Sequence, residues 1–433
     1  MLMTRYEKKA ILWILVFAVV SLIVGCEKKS ESKDTAQQSH RVSGDQLALT
    51  PPMGWNSWNA LGKDISEQSV KEAADAMVST GLKDAGYAYV VIDDIWQGGR
   101  DSVTGLLYPD AKRFPSGIKA LAEYVHSKGL KFGIYTDAGT QTCGRKPGSF
   151  GYEAKDAQTF ASWDVDFLKE DYCFCDNYGS TDGDYKRAIE RYKKMGDALK
   201  ATGRPILFSI CEWGDRSPWQ WGREVGGHMW RIGSDVYDIW DSPRSDTDPV
   251  GILAAIDKET DLRSFAGPGG WNDPDMLIIG LKNTGNIKGG GCNDIEYRTQ
   301  MSMWCVMASP LMIGCDLRKM DDATKTILLN KEIIAVDQDS LGRQGYRVFR
   351  NDGLEAWKKP LAENRVAIAL LNRNSTAKKM TASWKELELQ AGTRYNVRDV
   401  WKHMSSGQAD ATLSADLKPH ETQVFVLTPI AGK

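Results

Sequence analysis

Short apolar runs ending in charged or polar side chains recur along the first three quarters of the chain. YVVIDD ends in Asp93 and Asp94, KFGIYTD in Asp137, and VDFLKED in Lys169 and Asp171. PILFSICEW ends in Glu212 and Trp213, MWRIGSD in Arg231 and Asp235, and GGWNDPD carries Asp273 and Asp275. Between these runs, helical periodicity covers residues 65–85, 117–128 (with Gly129 as a stop), 157–163, 185–202 (ended by Gly203) and GILAAIDKE at 251–259. Strands are expected in MGWNSW at 53–58, at 87–93, 131–136, 165–169, 205–210, 229–232 and 264–267, and within 307–313. Eight strands alternating with helices predict an α/β chain closed into a (β/α)8 TIM barrel, not a dinucleotide fold. Such a barrel carries its chemistry at the C-terminal strand ends, with packing below.

After residue 340 the rhythm changes to short extended runs: GYRVFR, GLEAWKK, RVAIALLNR, AKKMTASW, YNVRDVW and TQVFVLTP, with turn residues such as Asn351-Asp352-Gly353. These predict an antiparallel sheet domain. It holds no outstanding carboxylate pair, so packing support or an accessory surface is its expected role.

The start of the chain follows another pattern. Lys8 and Lys9 precede an apolar run over 11–24, then Gly25 and Cys26. The run is short for a bilayer span and suits the apolar core of a signal peptide. LIVGC resembles the lipobox at which bacterial lipoproteins are cleaved and acylated on the cysteine. Residues 1–26 are therefore expected to be a lipoprotein signal and 27–46 a flexible polar tether. An exported lipoprotein, periplasmic or outer-membrane-associated and held to the membrane by a lipid on Cys26, is the expectation; an uncleaved anchor or a mis-assigned start are the alternatives. The folded part then begins near Leu47, with a barrel over 47–340 and the second domain over 341–433.

Composition narrows the chemistry. Lys and Arg number 55 against 57 Asp and Glu, a balance that argues against a nucleic-acid partner. The five histidines, His40, His126, His228, His403 and His420, show no metal-ligand spacing, and no glycine-rich phosphate loop precedes a helix. No metal or organic cofactor is expected, which leaves the chemistry to carboxylates. Fifteen tryptophans and fifteen tyrosines fit sugar stacking, although ordinary packing accounts for most of them.

The stretches TPPMGWNSWN, VIDDIW, FPSGIKALAEYVHSKGLKFGIYTDAGTQTC, FASWDVDFLKEDYC, SICEWG, WRIGSD, GPGGWNDPDML and MASPLMIGCDLR resemble glycoside hydrolase family 27, the alpha-galactosidase family. The resemblance implies a catalytic barrel, a C-terminal β-sandwich, no cofactor, and retaining hydrolysis of a terminal alpha-linked galactoside. The family pattern LKYDNC meets LKEDYC and carries the nucleophile role to Asp171; WRTTGD meets WRIGSD and carries the acid/base role to Asp235. Taken alone, either aspartate would read equally well as a loop cap or an ion-pair partner. Asp171 has to be ionised, and Lys169 on the same strand face favours that charge. Asp235 has to hold a proton, which calls for burial or nearby negative charge.

By the same resemblance, Asp93 and Asp94 take the 4- and 6-hydroxyls, Trp58 lines the ring, Lys169 reaches the 3- and 4-hydroxyls, and Asp275, Arg231, Cys211 and Trp213 surround the 2- and 3-hydroxyls. Tyr135, Asp137 and Asp273 are expected in support. The bulk of Glu212 and Trp213 argues for a free 2-hydroxyl, hence galactose over N-acetylgalactosamine. The family often bridges the cysteines that fall here at Cys143 and Cys173, with Cys175 a competitor; its other common bridge is absent, since Lys63 and Ile95 occupy those places.

Glu170 and Tyr172 depart from the family pattern. Alternation turns Glu170 away from the barrel interior, and Tyr172 could reshape the rim. Trp219 and Trp221 would line a leaving-group site or brace a loop. A beta-L-arabinopyranosidase of the same family stays open as an alternative, as does, outside the enzyme class, a carbohydrate-binding lipoprotein without catalysis. The pattern specifies no oligomeric state.

Overall fold

The computed structural model describes residues 46–175, 182–242 and 249–430. The expected signal segment with Cys26, and the tether before Gln46, lie outside the described residues.

Eight short strands, β1 (Met53–Asn56), β2 (Tyr89–Val91), β3 (Lys131–Asp137), β4 (Phe167–Asp171), β5 (Leu207–Ile210), β6 (Met229–Arg231), β7 (Trp271–Asp273) and β8 (Leu311–Ile313), pair in parallel in the order β8-β1-β2-β3-β4-β5-β6-β7. The ring closes just past β7. There Leu277 bridges Ile313, donating its N–H to the Met312 carbonyl at 2.8 Å and accepting from Gly314 at 2.9 Å. These strands are buried almost throughout because helices cover their outer faces and side chains fill the inside, so apolar runs replace a strict alternation. Tyr89, Val91, Phe167, Leu207, Met229, Met276 and Met312 plug the interior. The larger apolar cluster lies between the strands and helices α1 (Glu67–Ser79), α2 (Gly117–Ser127), α3 (Glu153–Ser162), α4 (Asp182–Ala201), α5 (Ile252–Glu259), α6 (Asp294–Met307), α7 (Asp322–Leu328) and α8 (Lys331–Asp337).

The seventh strand departs from the expectation at residues 264–267. That segment leads into a turn closed by an antiparallel Gly267–Gly270 bridge, with Gly269 at φ +83° and the carbonyls of Gly267, Pro268 and Gly270 taken by the Arg223 guanidinium. The strand forms at Trp271–Asp273, where all three residues are buried. Helix α6 was not foreseen. Nearly its whole length is buried, so no polar face marks its period, while its ends are set by the Asn293–Glu296 capping box and a left-handed Ala308. A small hairpin, Gln97–Arg100 with Leu107–Pro109, also went unread.

All six extended runs after residue 340 are strands: β9 (Tyr346–Asn351), β10 (Leu354–Pro360), β11 (Val366–Asn372), β12 (Lys378–Ser383), β13 (Tyr395–Asp399) and, after two further strands β14 (Met404–Ala409) and β15 (Thr412–Leu417), β16 (Thr422–Pro429). A six-stranded sheet, β9-β10-β11-β16-β13-β14, packs against the β12-β15 pair through Ile368, Leu370, Met380, Trp384, Leu413 and Leu427, a sandwich of antiparallel layers. Strand β14 is polar and almost wholly exposed, so it carries no apolar alternation to read. The sandwich is joined to the barrel by polar contacts on α5 and α6. Arg373 grips Asp257 at 2.7 and 2.8 Å while also reaching buried Glu355, Lys359 donates to the Cys305 carbonyl at 2.9 Å, and Trp401 donates to Ser302 at 2.9 Å.

Candidate active site

At the end of β2 the chain turns sharply through Asp93, Asp94 and Ile95. The N–H groups of Asp94 and Ile95 each meet the preceding side-chain carboxylate, at 2.9 and 2.7 Å, and these bonds hold the β-branched Ile95 at φ +77°. Such a strained turn at a strand end is the mark of a site that needs a particular side-chain direction. Asn56 on β1 donates to Asp93 at 2.8 Å and accepts from the Trp58 N–H at 2.9 Å, setting both. Gly144 donates to the other side of Asp94 at 2.6 Å. Burial raises the Asp94 pKa, against the opposing pull of that N–H.

Register then brings β3 and β4 together, with Tyr135 opposite Lys169 and Asp137 opposite Asp171. Lys169 meets Asp93 at 2.8 Å, and Tyr135 donates its hydroxyl to Asp171 Oδ2 at 2.9 Å. Among the described residues the other oxygen, Oδ1, has no hydrogen-bond partner within bonding geometry. Burial lifts the Asp171 pKa to about 6; Lys169 pulls it back down, while Asp93 and Asp235 push it up. Burial would depress the Lys169 ammonium, but the carboxylates of Asp93 and Asp171 outweigh it and hold it well above its ordinary value. Asp137 lies one layer behind: it accepts from the N–H groups of Gly139 and Cys173 at 2.6 and 2.9 Å, and burial together with Asp171 pushes its pKa well up. Cys143 and Cys173 are disulfide-bonded, with Cα atoms 5.1 Å apart, and Cys175 is a buried free thiol.

Across the barrel, Arg231 organises the ends of β6 and β7. Its guanidinium meets Asp235 at 2.9 Å, Asp275 at 3.3 Å and the Cys211 sulfur at 3.6 Å. Asp275, at φ +86°, accepts the Val236 N–H at 2.8 Å and so fixes the segment bearing Asp235. Asp273 in turn accepts the Asp275 N–H at 2.9 Å. Burial raises Asp275 to about 7, with Arg231 opposing and Asp235 and Asp273 adding to it. Of the two settings expected for the acid, burial or nearby negative charge, Asp235 lacks the first: its side chain is 34% exposed. Nearby negative charge is present, because Asp171 and Asp275 both feel the Asp235 carboxylate.

Asp93, Asp94, Lys169, Asp171, Arg231 and Asp235 converge on one cleft of about 520 Å³, with Trp58, Tyr135, Trp213 and the Cys143–Cys173 disulfide on its wall. Asn59, Asp215, Ser234 and Met276 also line it and were not foreseen. Cys211, Asp273 and Asp275 lie one step lower, around a small void shared with Lys169 and Arg231.

Several side chains stand elsewhere than anticipated. Glu212 is fully buried behind the wall, bonded to Arg216 at 2.8 Å through the backbone and 3.3 Å through the guanidinium, and burial raises it to about 8. It braces the loop while Trp213 faces the cleft. Tyr172 is buried too, stacked on Tyr192 at 5.8 Å with the Arg216 guanidinium 4.6 Å from its ring, so it stays out of the rim. Trp221 donates to the Arg216 carbonyl at 2.8 Å and packs on Tyr192, a loop brace. Trp219 packs beside the main core. Glu170 does turn outward, but its carboxyl is fully buried and, among the described residues, neither oxygen has a hydrogen-bond partner. Burial, with Asp137, Glu153 and Asp156 nearby, drives its pKa well above the usual carboxyl range despite Arg191.

Carboxylates from separate strands, meeting in one cleft at the C-terminal mouth of a parallel barrel, define a carboxylate-based barrel enzyme. The chain belongs to the alpha galactosidase A family, whose model matches residues 50–339; residues 351–427 match the alpha galactosidase C-terminal beta sandwich domain. It is 44% identical over 426 residues to an alpha-galactosidase from Cyamopsis tetragonoloba, spanning 96% of this chain and 97% of that protein. Alpha-galactosidase I from Mortierella vinacea is similar in structure with a TM-score of 0.84 and 37% identity, over 90% of this chain and 100% of its own. A family 27 beta-L-arabinopyranosidase from Geobacillus stearothermophilus is similar with a TM-score of 0.76 and 28% identity, over 90% and 98%.

Proposed function

We propose that this protein is a retaining exo-glycoside hydrolase that releases terminal alpha-linked D-galactose. The observation that carries the reading is the convergence of Asp171 and Asp235 on one cleft that also holds Asp93, Asp94 and Lys169, a cluster able to take several hydroxyls of one terminal sugar. The Asp171 carboxylate attacks the anomeric carbon while Asp235 protonates the departing glycosidic oxygen. Asp235 then takes a proton from water, which attacks the same carbon and frees Asp171, giving net retention. Tyr135 occupies one Asp171 oxygen and leaves the other for the new bond. Asp93 and Lys169, paired at 2.8 Å, offer an acceptor and a donor to adjacent hydroxyls, and an analogue lacking those hydroxyls would strand buried polar groups.

Hydrolysis of nitrophenyl alpha-galactoside tests the activity, and separates it from mere carbohydrate binding. Asp171→Asn is expected to abolish turnover with the fold intact. Asp235→Ala is expected to spare the aryl galactoside more than a natural sugar linkage, because a good leaving group needs little protonation. Equal losses on both substrates would remove Asp235 from the acid role.

The likeness to a beta-L-arabinopyranosidase supports a second reading, since that sugar is galactose without its exocyclic carbon. The presence of Asp94 at the cleft, where the 6-hydroxyl is expected, favours galactose. We also propose export as a lipoprotein acylated on Cys26, supported by the basic start, the apolar run and the LIVGC sequence. Cys26→Ser should abolish labelling by a fatty acid and move the protein from membranes to the soluble fraction; unchanged labelling would remove Cys26 as the anchor.

A further inference from the structure

A second feature lies next to the disulfide on the cleft wall, outside the residues that line the cleft itself. Beyond Cys143 and Cys173 the chain passes through left-handed residues, Arg145 at φ +61° and Phe174 at φ +47°. Neither is a glycine, so each conformation costs energy that its surroundings must supply. Two anchors fix the segments that bear them: the Gly144 N–H on Asp94, and the Cys173 N–H on Asp137. Both side chains nevertheless face solvent, Phe174 at 38% exposure, and the Arg145 guanidinium stands 4.9 Å from the Phe174 ring centre. Among the described residues that guanidinium pairs with no carboxylate or carbonyl, which leaves its N–H donors uncommitted.

An exposed phenyl face beside unused donors matches a sugar ring, which offers an apolar face of C–H bonds and a rim of hydroxyl acceptors. A galactose held inside by Asp93, Asp94 and Lys169 would send its linked sugar out across this rim. We infer that Arg145 and Phe174 form the subsite for the leaving sugar, Phe174 stacking on its ring and Arg145 bonding its hydroxyls. The inference rests on the galactoside reading above.

The test compares kcat/KM for a disaccharide of galactose alpha-linked to glucose with that for alpha-galactosyl fluoride, whose leaving group is one atom and cannot touch the rim. Phe174→Ala and Arg145→Ala should each lower the disaccharide-to-fluoride ratio about tenfold, the scale of one lost pocket contact. Phe174→Trp should keep the ratio. Met404→Ala, an exposed apolar side chain on β14 of the sandwich at 53% exposure, should not move it. A misfolded variant would lose both substrates together and leave the ratio readable from its active fraction. Unchanged ratios in both alanine variants, or an equal fall in Met404→Ala, would overturn the subsite alone. Wild-type protein inert toward the fluoride would overturn the galactoside reading and the subsite with it.

Discussion

Replacing Glu170 with glutamine should make the protein progressively more stable than the wild type as pH rises. The carboxyl is fully buried one residue before Asp171, with both oxygens unpartnered among the described residues, and it faces Asp137 from β3, Glu153 and Asp156 from α3, Arg191 and Tyr192 from α4, and Cys175. Folding raises its pKa, so the folded state keeps a proton that the unfolded chain releases. The sign follows: the contribution to stability is intact below the unfolded value, near 4.3, and falls as pH climbs from there toward the folded value. The slope approaches about 1.4 kcal/mol per pH unit wherever the pH lies between the unfolded and folded values. Glutamine has nearly the same shape and no proton to lose, so the difference between the two proteins isolates this one group. Urea unfolding at pH 5, 6 and 7 should show midpoints that diverge steadily, with the variant gaining. Parallel stability curves would refute the reasoning, because they would mean the folded carboxyl ionises as readily as the unfolded one.

The raised pKa of Asp171 sets a limit on activity: the nucleophile needs its charge, so kcat/KM should fall as pH drops through about 6, and an acid limb near 4 would contradict the buried setting. Asp94→Ala should shift the ratio of nitrophenyl alpha-galactoside to beta-L-arabinopyranoside turnover toward the pentose by about tenfold, and an unchanged ratio would remove Asp94 from sugar binding. Replacing Cys143 and Cys173 together by serine should cost about 2–4 kcal/mol in urea unfolding. Peptide mapping without reductant should return the Cys143–Cys173 link with Cys175 free.

Much of the site was legible because a parallel barrel buries its strands on both faces, so a polar residue closing an apolar run marks a strand end. Asp93, Lys169, Asp171, Arg231 and Asp235 were found this way. The family pattern then separated their roles, which a run of residues cannot do. Asn56 was hidden because its work, holding Asp93 and Trp58 at once, depends on β1 lying beside β2. Asp215 and Ser234 reach the cleft on loops whose path follows tertiary packing and no periodicity. The seventh strand was misplaced for a related reason: its apolar neighbour at 264–267 has comparable local character, and only the Arg223 clamp on the glycine turn decides between them. The burial of Glu170 was foreseeable in direction from alternation, but not the lack of any partner for its oxygens.

Strand β16 lies in the middle of the six-stranded sheet, between β11 and β13, although it is the last of the described strands. The residues just before it reach the barrel: His420 stacks on Trp240 at 4.5 Å and accepts through its carbonyl from Thr299, and Glu421 pairs with Arg298 on α6. A ribosome that has made everything up to residue 419 therefore holds a sheet with its centre missing and a barrel helix with bare charges. The sheet is completed only once β16 has emerged, however early the catalytic strands do. In genetic terms, a stop codon just before residue 420 should be as disabling as one placed before the nucleophile.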